Sequence, residues 1–247
     1  VSEIARRHPT GTIYRLGRRD PGAWRFPDWL HADVATGTFG SRYDDPEGEY
    51  RVLYACSVRA CSFVEVLWYH SADATLAADM SAIVENDDSD VDYESVPPGH
   101  LDIAAWCAQR SVGTATVAPE REFASTTDLE TVDTLNQTAD LIASAAAAGL
   151  DAPFTAEEIR LTQARHFTQR VSRFIWEQST SSGAPAFAGI HYLSRHDEAA
   201  DNWALFELEP ADLTAIWTVV DDEHEDVLSP DDPDLLAAIE RHGIVVI

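Results

Sequence analysis

Lysine is missing from the chain altogether: its 17 basic residues are all arginine, set against 43 acidic ones for a formal net charge of −26. Without lysine no GxxxxGK[ST] loop can form, and the phosphate-binding lysine of nucleotide hydrolases is excluded. No GxGxxG follows a strand, so a Rossmann cofactor site is unsupported, and Ser194 does not sit in the GxSxG elbow of esterases. Cysteine is scarce. Cys56, Cys61 and Cys107 are odd in number, form no CxxC pair and read as reduced core thiols. Neither HExxH nor a Cys/His cluster occurs; the nearest approaches to ligand spacing are His191 with His196 and the acidic run around His224, so no metal is expected. No apolar run of membrane-spanning length is present, and the opening VSEIARRHPTGT has no apolar stretch of the secretory kind, so the expectation is a cytoplasmic protein. So acidic a chain repels phosphate backbones and anionic lipid, which argues against nucleic acid and membrane partners. An anionic small ligand would have to be held by a few well-placed arginines.

What is present fits one domain over 1–247, with 45% hydrophobic residues to fill its core. The spacing predicts a strand over TIYRL, a turn-rich stretch TGTFGSRYDDPEG, and a buried strand over YRVLYAC, Tyr50 to Cys56. Ser57 is then placed to cap a helix that puts Ala60, Val64, Leu67 and Trp68 on one face and Glu65 at its edge. From Ser71 to Thr127 a polar stretch reads as loop broken by short strands. An alanine-rich helix is expected from Asp128 to Ala148, and a second from the capping box Thr155/Glu158 to about Ser179, with Phe167, Val171, Phe174 and Ile175 inward. Strands GIHYL, NWALFEL and AIWTVV, a helix from Pro233 to His242 and a short IVVI strand follow.

Polar residues gather where strands end: Tyr14 and Arg15, then Gly40, Arg42 and Asp44, then Tyr54, Glu65, and finally Tyr192, Ser194 and Arg195. In that order the segments TIYRL, GSRYDDPEG, RVLYACSVRACSFVEVL, FTQRVSRFIWE and GIHYLSR with NWALFE resemble successive blocks of the RES domain family, from about residue 11 to 210. Tyr43 and Asp44 depart from the family, which often has Trp and Asn there, and this chain is longer than typical toxin members. The resemblance implies an α+β fold of ADP-ribosyltransferase-like type, a compact mixed sheet with flanking helices and a partly helical insertion about 71–160. It also implies an NAD-degrading enzyme, glycohydrolase or phosphorylase, of the kind that serves as the toxin beside an Xre-type helix-turn-helix antitoxin. Carried over, the family's turn arginine falls on Arg42, its strand tyrosine on Tyr54, its glutamate on Glu65 and its late serine on Ser194, with Tyr14 and Arg15 as the early pair.

The residue types suit that chemistry. Cleaving the nicotinamide–ribose bond builds positive charge on the sugar, which a carboxylate such as Glu65 stabilises. Arg15 and Arg42 can grip a pyrophosphate. Tyr14 and Tyr54 can stack on or edge the nicotinamide ring, and Ser194 can bond a ribose hydroxyl or orient Glu65. NAD is thus the expected substrate, with no separate cofactor, and water or phosphate as acceptor; Arg195 or Arg170 are the candidates for a phosphate co-substrate. Two other readings stay open. One is ADP-ribosyl transfer to a macromolecule, the other a non-catalytic module that binds NAD or a partner. Each residue also has a plainer role: Glu65 or Arg42 at a solvated surface, Tyr14 and Tyr54 in the core, Ser194 capping a turn.

Overall fold

The structure is a computed structural model that describes residues 3–71, 96–97, 99–160, 164–196, 200–208 and 220–247. It is an α+β fold built on an eight-stranded, mostly antiparallel sheet. In chain order the strands are β1 (Arg6–Arg7), β2 (Ile13–Arg18), β3 (Val52–Cys56), β4 (His100–Leu101), β5 (Arg110–Val117), β6 (Phe123–Ser125), β7 (Gly189–Leu193), β8 (Asp201–Phe206), β9 (Val220–Val227) and β10 (Val245–Val246). The large sheet runs β1-β6-β7-β8-β3-β2-β5-β9, with β6 and β7 its parallel pair, and β4 pairs with β10 in a small parallel sheet. The helices are α1 (Arg59–Leu67), α2 (Ile103–Ala108), α3 (Leu129–Leu135), α4 (Ala139–Ala147), α5 (Ala156–Ile159), α6 (Arg165–Trp176) and α7 (Pro233–Arg241). No helix among the described residues is long and apolar enough to cross a membrane.

Strand alternation sends successive side chains to opposite faces, and cross-strand partners share a face. Ile13, Leu53, Ala55, Ala115, Phe123, Trp203 and Leu205 pack one face, covered by Trp24 from the loop after β2. The other face carries two separate apolar clusters. Val52, Ile190, Tyr192, Ala204 and Phe206 meet Val132, Leu135, Leu141, Phe167, Val171 and Ile175 of α3, α4 and α6. Leu16 and Val112 meet Phe63, Val64 and Leu67 of α1, Trp106 of α2 and Leu235 of α7. Among the described residues, what lies between them is the small group Cys56, Cys61 and Ala200. Two helical layers therefore leave a seam on one face of the sheet.

Ser57 does not cap α1: Val58 is the N-cap, without a side-chain bond, because the Ser57 hydroxyl accepts the indole N–H of Trp203 at 2.8 Å. The alanine-rich helix is two helices, broken at Asn136, whose amide bonds both the carbonyl and the N–H of Phe154 (2.7 and 2.9 Å) and so draws the chain end onto the following loop. The capping box at Thr155 is formed but opens only the short α5, and α6 is a separate helix. Within the stretch read as loop with short strands, the eight-residue β5 lies between β2 and β9 in the sheet. Gly113 disguises it. A Cβ there would stand 2.5 Å from the indole nitrogen of Trp24, so the glycine is what lets the loop lie flat on the strand. The AIWTVV strand falls outside the described residues except Val220, where β9 begins.

Candidate functional site

The site occupies the seam. Strand register lines up Tyr14, Cys56, Asn202 and Tyr192 as one transverse row across β2, β3, β8 and β7, all on the same face. Glu65 comes down onto this row from α1. Its Oε1 accepts the Ser194 hydroxyl at 2.5 Å and the Asn202 side-chain N–H at 3.1 Å. Both donors are fully buried. Ser194 is itself held, since its oxygen accepts the backbone N–H of His196 at 3.0 Å and its own N–H donates to the Ala200 carbonyl at 3.1 Å. Its hydroxyl hydrogen is thereby directed to Glu65.

Arg42 enters from the stretch between the single 3₁₀ turn Trp29–His31 and β3, in the segment Gly40–Asp44. Its guanidinium lies 5.4 Å from the Tyr192 ring centre and 5.8 Å from that of Tyr43, and its Nε and Nη1 are buried with no hydrogen-bond partner. Burial opposes its charge, but Tyr43, Tyr192 and Glu65 outweigh that and hold it above the usual arginine value. Arg195 stacks on Trp68 at 5.1 Å. Burial, with the like charge of Arg42, pulls Arg195 below its usual value, while Glu65 acts the other way. The site thus sets two guanidinium groups against one carboxylate, a local positive excess inside an acidic chain.

The turn bearing Arg42 is fastened on two sides. From α6, Arg165 donates to the Gly40 carbonyl, Gln169 to that of Ser41 (3.1 Å), Thr168 to that of Arg42 (2.8 Å) and Ser172 to that of Tyr43 (2.6 Å). These polar residues share the helix with the inward Phe167, Val171 and Ile175, so one helix both fills the core and grips the turn. From β3, the Tyr54 hydroxyl accepts the Tyr43 N–H at 2.9 Å and donates to Asp44 at 3.0 Å, and Asp44 accepts the Ser41 N–H at 2.6 Å. Burial raises the Asp44 carboxyl to about 6, against its bonds with Ser41 and Tyr54 and the nearby Arg165. The Tyr54 hydroxyl is thus engaged in the turn, which makes it a group that positions Arg42.

The sequence-derived residues part company at β2. Tyr14 lies on the row, half-buried beside Cys56. Arg15 alternates to the opposite face, where it donates from Nε to the Ala23 carbonyl (2.6 Å) and from Nη1 to the Tyr54 carbonyl (3.0 Å). Since Tyr14 and Cys56 are the one registered β2/β3 pair, this guanidinium is a clasp between two strands that barely pair. Arg170 bonds Glu47 at 2.8 Å and is well exposed, on the outer side of α6.

Three residues beside Glu65 escaped the sequence reading. Asn202 is its second donor; a buried asparagine at a strand start was the available signal. His196 and His242 face each other with ring centres 5.7 Å apart, and His242 bonds the Val64 carbonyl at 2.9 Å. Burial lowers both, His196 to about 4, so neither adds charge at neutral pH. Cys56 stays a thiol, its ionisation opposed by its bond with Cys61 and by burial, which removes it as a nucleophile. Among the described residues no group of three His, Cys, Asp or Glu is arranged to hold a metal. Compared with models of protein families, with curated proteins and with solved structures, the chain matches none.

Proposed function

We propose that the chain cleaves the N-glycosidic bond between nicotinamide and ribose in NAD, with Glu65 at the sugar and Arg42 and Arg195 on the phosphates. The observation that carries this reading is the fixed carboxylate: one oxygen of Glu65 takes bonds from Ser194 and Asn202, beside a half-buried Arg42 whose buried Nε and Nη1 are donors to spare. Donors locked on one carboxylate oxygen orient the group without neutralising it. Spare guanidinium donors are the complement of a phosphate oxygen.

The bond from C1′ of ribose to the nicotinamide nitrogen breaks with its electron pair going to the nitrogen, which was cationic and leaves as neutral nicotinamide. No acid is needed for that departure. Charge builds on C1′ and the ring oxygen, where Glu65 stabilises it. An oxygen of water or phosphate then bonds to C1′ and its proton passes to solvent. Tyr14, on the row, and Tyr192, beside Arg42, supply aromatic faces for a flat ring. In this account Tyr54 acts through Arg42, and Arg15 through the β2/β3 clasp.

The order of sequence blocks that resembles the RES family supports the same reading, and with it the proposal of a toxin restrained by an Xre-type antitoxin. The test is NAD consumption by purified protein with and without phosphate, following free nicotinamide. Nicotinamide release that needs phosphate identifies a phosphorylase, and release without it a glycohydrolase. Label from NAD appearing on protein would point instead to ADP-ribosyl transfer, and binding without turnover to a non-catalytic module. Growth arrest on expression, relieved by Glu65→Gln, is the outcome expected of a toxin; harmless expression of fully active protein would refute that role.

A further inference from the structure

A second cationic site lies on the same sheet face, away from the seam. Arg18, the last residue of β2, and Arg110, the first of β5, are directly opposed cross-strand partners. Like charges in that register repel. Arg110 is only 4% exposed, and its guanidinium lies 5.0 Å from the ring centre of Trp106 on α2. The Nε of Arg110 and the Nε1 of Trp106, both obligate donors, are buried with no hydrogen-bond partner. No ion pair engages Arg110 among the described residues. Nearby His70 is lowered to about 4 by burial and by Arg110, so it is neutral and offers no counter-charge.

Buried donors in native proteins are almost always satisfied, and a buried unpaired charge is costlier still. Here two such donors meet beside a second arginine in a chain otherwise dominated by acid. We infer that Arg110, with Trp106 and Arg18, forms a binding site for a phosphate-type oxyanion, separate from the Glu65 site. An arginine stacked on an indole leaves its N–H edge free for bidentate contact with an oxyanion. Leu16 and Val112 stand between this group and the Tyr14 row, packed into the apolar cluster under α1, so the two sites share no residues.

The test is thermal unfolding of the full chain with inorganic phosphate, against sodium chloride at equal ionic strength, for wild type, Arg110→Met and Arg42→Ala. Wild type and Arg42→Ala should show a saturable rise, about 5–10 °C at a hundred times the Kd, and Arg110→Met should show none. A parallel titration with phenyl phosphate separates the sources: a larger shift than with phosphate alone marks the site as one for a phosphate ester. Should Arg110→Met not fold, the Trp106 indole N–H signal of the wild-type protein serves in its place, and must move with phosphate. No saturable rise in wild type, an equal rise in Arg110→Met, loss of the rise in Arg42→Ala alone, or an unmoved indole signal overturns the inference.

Discussion

Asp44→Asn removes the ionisable group whose burial closes the Arg42 turn. Its carboxyl is raised from 3.8 to about 6, so the folded state holds a proton more tightly than the unfolded state does. The sign follows from linkage: the stabilisation is fully present below the unfolded value and is lost as pH rises through the folded one. That displacement corresponds to roughly 3 kcal/mol across the window. Other groups, the depressed His196 among them, titrate in the same range, so neither protein's profile alone is informative. The difference between them is, because the distant groups cancel. Urea unfolding from pH 4 to 7.5 should show wild type losing about 2.5 kcal/mol relative to Asp44→Asn as pH rises. Parallel profiles would mean that Asp44 titrates normally and that the buried Tyr54–Asp44–Ser41 arrangement does not exist in solution.

Four further substitutions probe the geometry. Ser194→Ala and Asn202→Leu each remove one donor to Glu65 and should lower kcat by roughly 10- to 100-fold with KM little changed, as expected for a bond to a charged group worth about 1.5–3 kcal/mol; a change in KM alone would place those residues on the substrate. Arg15→Met should lower the melting temperature through loss of the two carbonyl contacts, about 1 kcal/mol each, while KM for NAD per folded molecule stays unchanged; a selective rise in KM would return Arg15 to the ligand. Gly113→Ala should cost about 1–3 kcal/mol by forcing the Trp24 loop off β5, read from denaturant midpoints; a neutral effect would show that the loop is not seated there.

Much of the site was legible as residue types in order, because strand ends and the following helix are set by local pattern. The blocks around Arg42, Glu65 and Ser194 fall where the periodicity puts loop, helix and strand end, and one of the two roles read for Ser194, orienting Glu65, is the one its geometry shows. Arg15 was misplaced for a physical reason: adjacent residues on a strand point to opposite faces, and nothing local says which of Tyr14 and Arg15 shares the face that Glu65 approaches. Register decides it, through the pairing of Tyr14 with Cys56. Asn202 was missed likewise, since its bond to Glu65 joins residues far apart in the chain. In β5, the small residues of RSVGTATV hide a strand whose burial comes from neighbours elsewhere.

The proposed action of Glu65 on the sugar of a bound NAD is tested by pairing binding with turnover in Glu65→Gln. Glutamine keeps the size and still accepts the Ser194 and Asn202 bonds through its carbonyl oxygen, while losing the charge. The expected result is NAD bound within a few-fold of wild-type affinity and nicotinamide release slowed at least a hundredfold, the scale seen when one electrostatic stabiliser of a transition state is removed. Turnover at the wild-type rate would contradict the account, because the chemistry would then lie elsewhere in the chain.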